Sequence, residues 1–349
     1  MAKYTPARYL LLGMSVLVLL ACSAPAAAPP PATAPAPTPA ERPAAPAPEP
    51  ARIEFGMVVP VAHYWAYWVA QDQGLFREQQ LTVETTVTET PSRAIQALVG
   101  GSLDISGGGP DSVALANNQG ADVVIVAGQN NRVAYALLVH PSVQTYADLR
   151  GKQFAVSDLQ DGSTVLLRRL LAANGLRPEE YDLLPVGGTS ARLGAIQNGA
   201  VIGAMIGQPQ EFRAVDSGLK RLGYSTSVVP NYTFEVLSVR REWARANEDR
   251  LVRFLRAYTQ ACRWLYDPAH RADAIRILAT NTRTDENDAA RTYALYIEEL
   301  KAIPQNGEVS LPGVAAVLDS LVEVGVLTPP APPPERLVDE SYLRKAQGQ

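Results

Sequence analysis

The densest group of side chains that could bind a ligand is a run of rings between residues 60 and 68. Five of its last six positions carry an aromatic or imidazole ring, in a chain in which only 7% of the residues are aromatic. Such rings stack on flat ligands. We therefore expect Tyr64 and Trp65 to stack on a ligand, with Tyr67 as a third candidate. The alternative is that all of these rings pack in the core.

Glycine-rich turns after predicted strands form the second group of candidate binding residues. Glycine lets the backbone approach a ligand closely, and the free N–H groups at a helix start bind anions or hydroxyl groups. Two such turns are Gly107–Ser112 and Asp161–Thr164, and the second resembles an anion nest. Their candidate residues are Pro110, Asp111, Ser112, Gly162, Ser163 and Thr164. The alternative is that Asp111, Ser112 or Ser163 only caps a helix.

Later turns and a return crossover supply four more candidates. Gly188 and Gln208 lie in turns that follow predicted strands. Glu211 is a candidate acceptor for N–H groups of a ligand, unless it is solvated. Tyr232 lies with Phe234 at the crossover between two predicted lobes, and ligand sites are frequent where domains meet.

These turns are held by an alternation of strands and helices. Strands are predicted at 53–59, 81–87, 103–106, 123–127, 135–139, 153–156, 183–186 and 204–206. The alternation predicts a parallel sheet with crossover helices, in which ligands bind beyond the carboxyl ends of the strands. Ser92 is predicted to cap a helix that ends at Val99. After Asn247, apolar residues recur at spacings of three, four and seven, which predicts a helix that buries Cys262.

The length and an internal correspondence predict two lobes. The chain has 349 residues, which is more than one compact core usually needs. A pattern of helix, glycine and strand at residues 94–106 recurs at residues 193–206. We expect an α/β fold in which each of two lobes is a parallel-dominated sheet flanked by helices.

Charge and cysteine content argue against several functions. The net charge is only -4, and no basic stripe is present, which argues against a nucleic-acid partner. The two cysteines and three histidines do not show the spacing of a metal site. No metal and no cofactor is therefore expected.

The first segment is predicted to be a secretion signal with a lipid anchor. Lys3 and Arg8 precede a short apolar run that ends in Leu-Leu-Ala-Cys22, which resembles the lipobox of bacterial lipoproteins. This predicts a signal peptide at 1–21, acylation of Cys22 and an Ala/Pro-rich tether at 22–51, placing the protein on the outer face of the cytoplasmic membrane. The alternative is an ordinary signal peptide with an incidental cysteine.

Three motifs occur in an order that resembles a known family. They are Gly74-Leu-Phe, Leu98-Val-Gly-Gly-Ser-Leu-Asp-Ile-Ser106 and Asp148-Leu-Arg-Gly-Lys152. The ordered set is similar to the solute-binding proteins of ABC importers for nitrate, sulfonates, taurine and thiamine-pyrimidine precursors. The resemblance covers roughly residues 53–300.

The resemblance implies a type II periplasmic-binding fold of two lobes. Lobe 1 would comprise 52–136 plus 233–328, lobe 2 would comprise 137–232, and a tail would follow at 329–349. The folded part is expected to end near Val326. The partners implied are a small-molecule solute and the membrane permease and ATPase of the importer, with the binding protein itself a monomer.

The first loop resembles those of the pyrimidine-precursor binders and their riboflavin-binding relatives. Rings here replace the polar groups of the precursor binders, which favours a larger and flatter ligand. Riboflavin is therefore the first expectation, with Tyr64 and Trp65 on its rings and the Gly-Ser-Thr turn on its hydroxyl groups. A thiamine-pyrimidine precursor is the alternative, as is a sulfonate, taurine or nitrate.

An enzyme is the competing class. Eukaryotic relatives of this fold synthesise the thiamine pyrimidine with a reactive histidine, a lysine and a Cys-rich iron motif. In this sequence His63 is displaced by one position, no cysteine cluster exists, and no lysine occurs between Ala51 and Lys152. We therefore expect a binding protein and not an enzyme. A binding module without an importer is a third possibility.

Overall fold

The computed structural model describes residues 49–349. The predicted signal peptide, Cys22 and most of the tether lie outside the described residues. Within 49–349, none of the helices has the length and apolar character needed to cross a membrane.

Ten strands and thirteen helices make up the described chain. The strands are β1 (Ala51–Met57), β2 (Leu81–Val87), β3 (Ile105–Gly108), β4 (Val123–Asn130), β5 (Ala136–Val139), β6 (Lys152–Val156), β7 (Tyr181–Pro185), β8 (Gly203–Ile206), β9 (Lys220–Tyr224) and β10 (Glu235–Arg240). The helices are α1 (Trp65–Asp72), α2 (Leu75–Glu78), α3 (Pro91–Val99), α4 (Pro110–Asn118), α5 (Gly162–Ala173), α6 (Thr189–Gln197), α7 (Gln210–Asp216), α8 (Arg241–Ala246), α9 (Glu248–Leu265), α10 (Arg271–Thr282), α11 (Glu286–Tyr293), α12 (Leu311–Glu323) and α13 (Ser341–Ala346).

The strands form two five-stranded sheets, and this confirms the α/β fold class. The orders are β2-β1-β3-β10-β4 and β7-β6-β8-β5-β9. Each sheet is mixed, with two parallel and two antiparallel pairings, and not parallel-dominated as expected. The reason is that β5 and β10, which enter after a crossover from the other sheet, run against both of their neighbours.

Two crossovers join the parts of the chain built on these sheets, which we call lobe 1 and lobe 2. The chain passes from β4 to β5 through residues 131–135 and returns from β9 to β10 through residues 225–234. The predicted residue bounds of the lobes stay a prediction.

Local signals explain most helix ends, with one correction. The cap of α3 is Thr90 and not Ser92, because the Thr90 hydroxyl accepts the Arg93 N–H and Pro91 fills the first helical position. Ser92 instead donates to Asp158 of lobe 2 at 2.8 Å.

The apolar face of α9 is buried as predicted, and burial raises the pKa of the Cys262 thiol to about 12.

The folded part extends beyond Val326, which corrects the predicted end. The proline-rich run near residue 330 is only a connector, because the chain after it returns to lobe 1. Ile125 of β4 donates its N–H to the Leu337 carbonyl and accepts the N–H of Asp339, both at 2.8 Å. Helix α13 then packs on α9 and buries Leu343.

Replacing Leu343 by alanine is expected to lower the free energy of unfolding by about 2–3 kcal/mol, because it leaves a cavity under α13. The matched control is Lys345→Ala in the same helix. Lys345 pairs with Glu248 at the surface, so this change is expected to cost less than about 1 kcal/mol. Urea unfolding followed by tryptophan fluorescence measures both. Equal losses would show that α13 is not part of the cooperative fold.

Candidate functional site

A small cavity of about 50 Å³ lies where the two lobes meet. It is lined by side chains from both lobes and from both crossovers. Those used below are His63, Tyr64, Asp111, Tyr135, Asp161, Arg192, Phe234 and Glu235. The volume is comparable to that of one or two water molecules or of one small polar group.

The turn that leads into α1 brings the rings of His63 and Tyr64 to this cavity. After β1 the chain makes a single turn of 3₁₀ helix at Ala62–Tyr64, which leads directly into α1. The Tyr64 hydroxyl accepts the Val58 N–H at 3.0 Å and donates to a Glu235 carboxyl oxygen at 2.5 Å. Burial and the Glu235 carboxyl raise the pKa of Tyr64 well above its usual value. Tyr64 is therefore a neutral donor that holds Glu235 in place.

Three carboxyl groups from the two lobes face the cavity. Asp111 lies in the first turn of α4, Asp161 immediately before α5, and Glu235 at the start of β10. Their exposed fractions are 3%, 7% and 5%. Burial raises the pKa of Asp111 to about 7 and that of Glu235 to about 8, and it also raises the pKa of Asp161. This part of the cavity thus favours the neutral acids or a bound positive charge.

Asp161 is held by the turn that it caps. Its carboxylate accepts the Thr164 N–H at 2.8 Å and the hydroxyl groups of Ser163 and Ser157. Arg192 acts on Asp161 through its charge and lowers its pKa against the effect of burial. The guanidinium is itself fixed by the Met205 carbonyl at 2.7 Å. On the lobe 2 side, the charge of Arg192 thus opposes part of the cost of burying Asp161.

Three rings form another wall of the cavity. The centroids of His63 and Phe234 lie 5.0 Å apart, those of Tyr135 and Phe234 4.8 Å, and those of His63 and Tyr135 5.7 Å. Burial lowers the pKa of His63 to about 3, so its imidazole is neutral. Its Nε2 atom is buried without a hydrogen-bond partner in the described part of the chain.

A wider groove of about 1270 Å³ adjoins the cavity and also runs between the lobes. The cavity and the groove share the lining residues Val59, Val61, Glu89, Ser157 and Gly188. A ligand larger than the cavity can therefore place one end in it and extend along the groove.

Five of the residues predicted from the sequence line the cavity. They are Tyr64, Asp111, Gly162, Ser163 and Gly188. Their contact with a ligand stays a prediction. The other eight lie elsewhere, and each has a structural partner that explains its placement.

Two of the predicted stacking rings are in the core of lobe 1, which corrects that expectation. Trp65 is fully buried, donates its indole N–H to the Ala274 carbonyl at 2.9 Å and packs edge-on against Tyr293. Tyr67 stacks on Phe55 with centroids 4.1 Å apart. Successive helical positions point about 100° apart, so Trp65 cannot share the direction of Tyr64.

Glu211 and Gln208 are bonded to other protein groups, which corrects their predicted ligand contacts. Glu211 is fully buried and forms an ion pair with Arg221 at 2.5 Å. Gln208 donates to the Ala134 carbonyl at 2.7 Å. Their acceptor and donor groups are already used.

The last four predicted residues are structural. Pro110 occupies the first position of α4, and the N–H of Ser112 bonds to the preceding turn. Thr164 donates its hydroxyl to the Asp158 carbonyl at 2.6 Å. Tyr232 is buried in the core of lobe 2. The predicted alternative of a cap holds for α5, but the cap is Asp161 and not Ser163.

Sequence reasoning missed several residues of the cavity. His63 and Asp161 stood inside the runs already singled out, and Phe234 was named beside Tyr232. Arg192 in α6 and Glu235 in β10 had no local signal, because each reaches the cavity only through the packing of the lobes. The described residues contain no group of three or more His, Cys, Asp or Glu placed to hold a metal ion.

Residues 62–272 match the protein family described as NMT1/THI5 like. The bicarbonate transport ATP-binding protein CmpC of Synechocystis is 26% identical over 262 residues, which are 68% of this chain and 39% of CmpC. The periplasmic nitrate-binding protein NrtA of Synechocystis has a TM-score of 0.76 at 14% identity, covering 86% of this chain and 89% of NrtA. The alkanesulfonate-binding protein SsuA of Xanthomonas axonopodis, bound to MOPS, has a TM-score of 0.66 at 22% identity, covering 86% and 99%.

The buried carboxyls predict that stability falls by about 1–2 kcal/mol between pH 7.0 and 8.5. Asp111 and Glu235 keep protons in this range that the unfolded chain has released, so the folded state binds more protons and loses stability as pH rises through pKa values of about 7 and 8. His63 does not contribute, since it is neutral in both states at these pH values. Urea unfolding at the two pH values measures the change.

The control for this prediction is a pair of neutral variants. Asp111→Asn combined with Glu235→Gln is expected to flatten the pH dependence, whereas Glu84→Gln, at an exposed position of β2, should leave it unchanged. A fall of the same size in the double variant would assign the pH dependence to other groups.

Proposed function

This chain belongs to the NMT1/THI5-like family, and on that premise we propose that it is the solute-binding component of an ABC importer. The observation that carries the proposal is the polar cavity, which side chains of both lobes enclose. Lobes joined by two crossovers can separate to admit a solute and close around it, and closure is then the signal that a permease recognises.

Contacts across the mouth of the cleft support such a closure. Ser92 of lobe 1 bonds to Asp158 of lobe 2, and the Gln210 amide of lobe 2 donates to the Pro60 carbonyl of lobe 1 at 3.2 Å. The Ala62 N–H also reaches the Gln208 carbonyl at 3.3 Å. Two surface ion pairs, Arg291–Asp216 at 2.7 Å and Arg169–Glu323 at 2.8 Å, also join the lobes. Each exposed pair of this kind contributes about 1 kcal/mol or less, so these contacts do not prevent opening.

Binding without catalysis is part of the proposal. The Cys262 thiol is in the core of lobe 1, and the imidazole of His63 is buried and neutral. No lysine lines the cavity within residues 49–349. The groups that the related pyrimidine synthesis needs are therefore not assembled at this site.

The cavity favours a compact nitrogen heterocycle over riboflavin as the solute. The riboflavin expectation rested on stacking by Tyr64 and Trp65, and only Tyr64 lines the cavity. A volume of about 50 Å³ holds one polar group of a solute, and the rest of the solute would extend along the groove. Amino groups of a pyrimidine precursor would find the carboxyl oxygens of Asp111 and Glu235 as acceptors, whereas nitrate or a sulfonate would have Arg192 as the one Lys or Arg of the lining within residues 49–349.

The location follows from the sequence of the first segment. Acylation at Cys22 would hold the protein at the outer face of the cytoplasmic membrane, and the Ala/Pro-rich tether would let it reach the permease. We propose a monomer that delivers its solute to a permease driven by an ATPase.

Isothermal titration of the purified protein with 4-amino-2-methylpyrimidine, riboflavin, taurine and nitrate tests the ligand class. We expect the aminopyrimidine to bind, and Tyr135→Ala to weaken it by about tenfold because a wall of the cavity is lost. The matched control is Trp65→Phe, which changes a buried ring away from the cavity and should retain binding. Riboflavin binding that is lost in Trp65→Phe would reverse this assignment.

Cys22→Ser is expected to release the protein from the membrane fraction, because the thiol that carries the acyl chain is missing. Fractionation of cells and mass spectrometry of the mature N-terminus measure the change. Ser23→Ala is the control and should remain anchored. A Cys22→Ser protein that stays in the membrane fraction would contradict lipid attachment at this residue.

A further inference from the structure

The cavity holds more negative than positive ionisable groups. Asp111, Asp161 and Glu235 line it, and Arg192 is the one Lys or Arg that lines it among residues 49–349. Arg192 donates to the Met205 carbonyl and its charge lowers the pKa of Asp161, while its Nε atom has no hydrogen-bond partner in the described part of the chain. Two buried carboxyls therefore remain without a cationic partner.

The hydrogen bonds of these two carboxyls do not replace a counter-charge. One Glu235 oxygen accepts from Tyr64, and the other lies 4.0 Å from His63 Nδ1, whose imidazole is neutral. Backbone N–H groups, among them that of Gly162 in lobe 2, lower the pKa of Asp111 against the larger effect of burial. Burying an ionised carboxyl without a compensating charge costs several kcal/mol.

The opposite wall of the cavity is suited to the same kind of ligand. His63, Tyr135 and Phe234 place three ring faces or edges within 6 Å of one another. Rings attract cations through their negative faces, most strongly when water is excluded. The buried and unpartnered Nε2 of His63 offers one further polar contact inside the cavity.

We propose that the solute binds as a cation, with an amidinium, guanidinium or protonated amino-heterocycle group seated between Asp111 and Glu235 and against the rings of Tyr135 and Phe234. This rests on the proposed function, and it specifies the charge of the ligand at that same site. A planar cationic group of three or four heavy atoms fits a cavity of this volume, and the remainder of the solute extends into the groove.

The cation also explains how the lobes come together. Closing the empty cleft at neutral pH requires Asp111 and Glu235 to bind protons, because both lose their water. A cationic group supplies the missing charge from the ligand. Closure is then coupled to the charge of the solute as well as to its shape.

Three molecules of the same shape test the proposal: benzamidine, benzamide and benzoate, which carry one positive, no and one negative charge. Each is titrated into the purified full-length protein at pH 7.5. We expect benzamidine to bind at least about tenfold more tightly than benzamide, and benzoate to bind weakest. Asp111→Asn and Glu235→Gln should each weaken benzamidine by about tenfold or more, with the affinity for benzamide unchanged.

Controls separate recognition from folding. Both variants remove a buried charge and should melt at or above the temperature of the wild type, so that lost binding is not lost structure. Glu84→Gln, an exposed change on β2, should leave benzamidine affinity unchanged.

Two outcomes overturn the inference. The first is that benzamide or benzoate binds as tightly as benzamidine. The second is that benzamidine keeps its affinity in both carboxyl variants. Extraction of the natural ligand from protein purified from its cells distinguishes a failure of the cation proposal from a failure of the importer proposal. A neutral or anionic ligand would overturn the cation and keep the importer, whereas absence of any bound or transported solute would overturn the importer itself.

Discussion

The burial of like-charged carboxyl groups where two lobes meet is the constraint on which the rest of the cleft depends. Asp111 comes from lobe 1 and Asp161 from lobe 2, while Glu235 begins the first strand after the return crossover. The cavity that the three line takes residues from both lobes, so separating the lobes exposes it to water. Their ionisation and the separation of the lobes are consequently one coupled equilibrium.

The neighbouring groups stabilise Asp161 and Glu235 to different extents. Asp161 accepts hydrogen bonds from the turn that it caps, and the charge of Arg192 lowers its pKa against burial, so this carboxylate is part of the scaffold. Glu235 is only oriented, through the hydroxyl of Tyr64. A carboxyl group thus has a structural role on one side of the cavity, and on the other side a carboxyl group has no partner of opposite charge.

Sequence patterns predicted the elements well and the side-chain directions poorly. The ordered motifs around Gly74, residues 98–106 and residues 148–152 predicted the family, and the family match and the shared fold confirm it. The ring-rich loop and the glycine turns were placed at the correct edge of the sheets. Which ring of an adjacent pair faces the cleft depends on the phase of α1, and this is set by packing against α9 and α10.

The residues that were missed share a physical cause. Glu235 is far in sequence from every turn that it faces, and its hydrogen bond to Tyr64 spans 171 positions. Glu211 was misassigned because Arg221, ten positions later, lies on the adjacent strand β9. Long-range pairs of this kind carry no periodic or local signature, so only the packed structure brings them together.

The return of the chain end to β4 protects an edge of the first sheet. β4 is the last strand in the order of that sheet, and its outer side would otherwise present unpaired N–H and C=O groups. Residues 337–339 occupy this side through the bridge between Ile125 and Val338. A strand from a neighbouring copy therefore cannot pair with β4 at Ile125 without displacing residues 337–339.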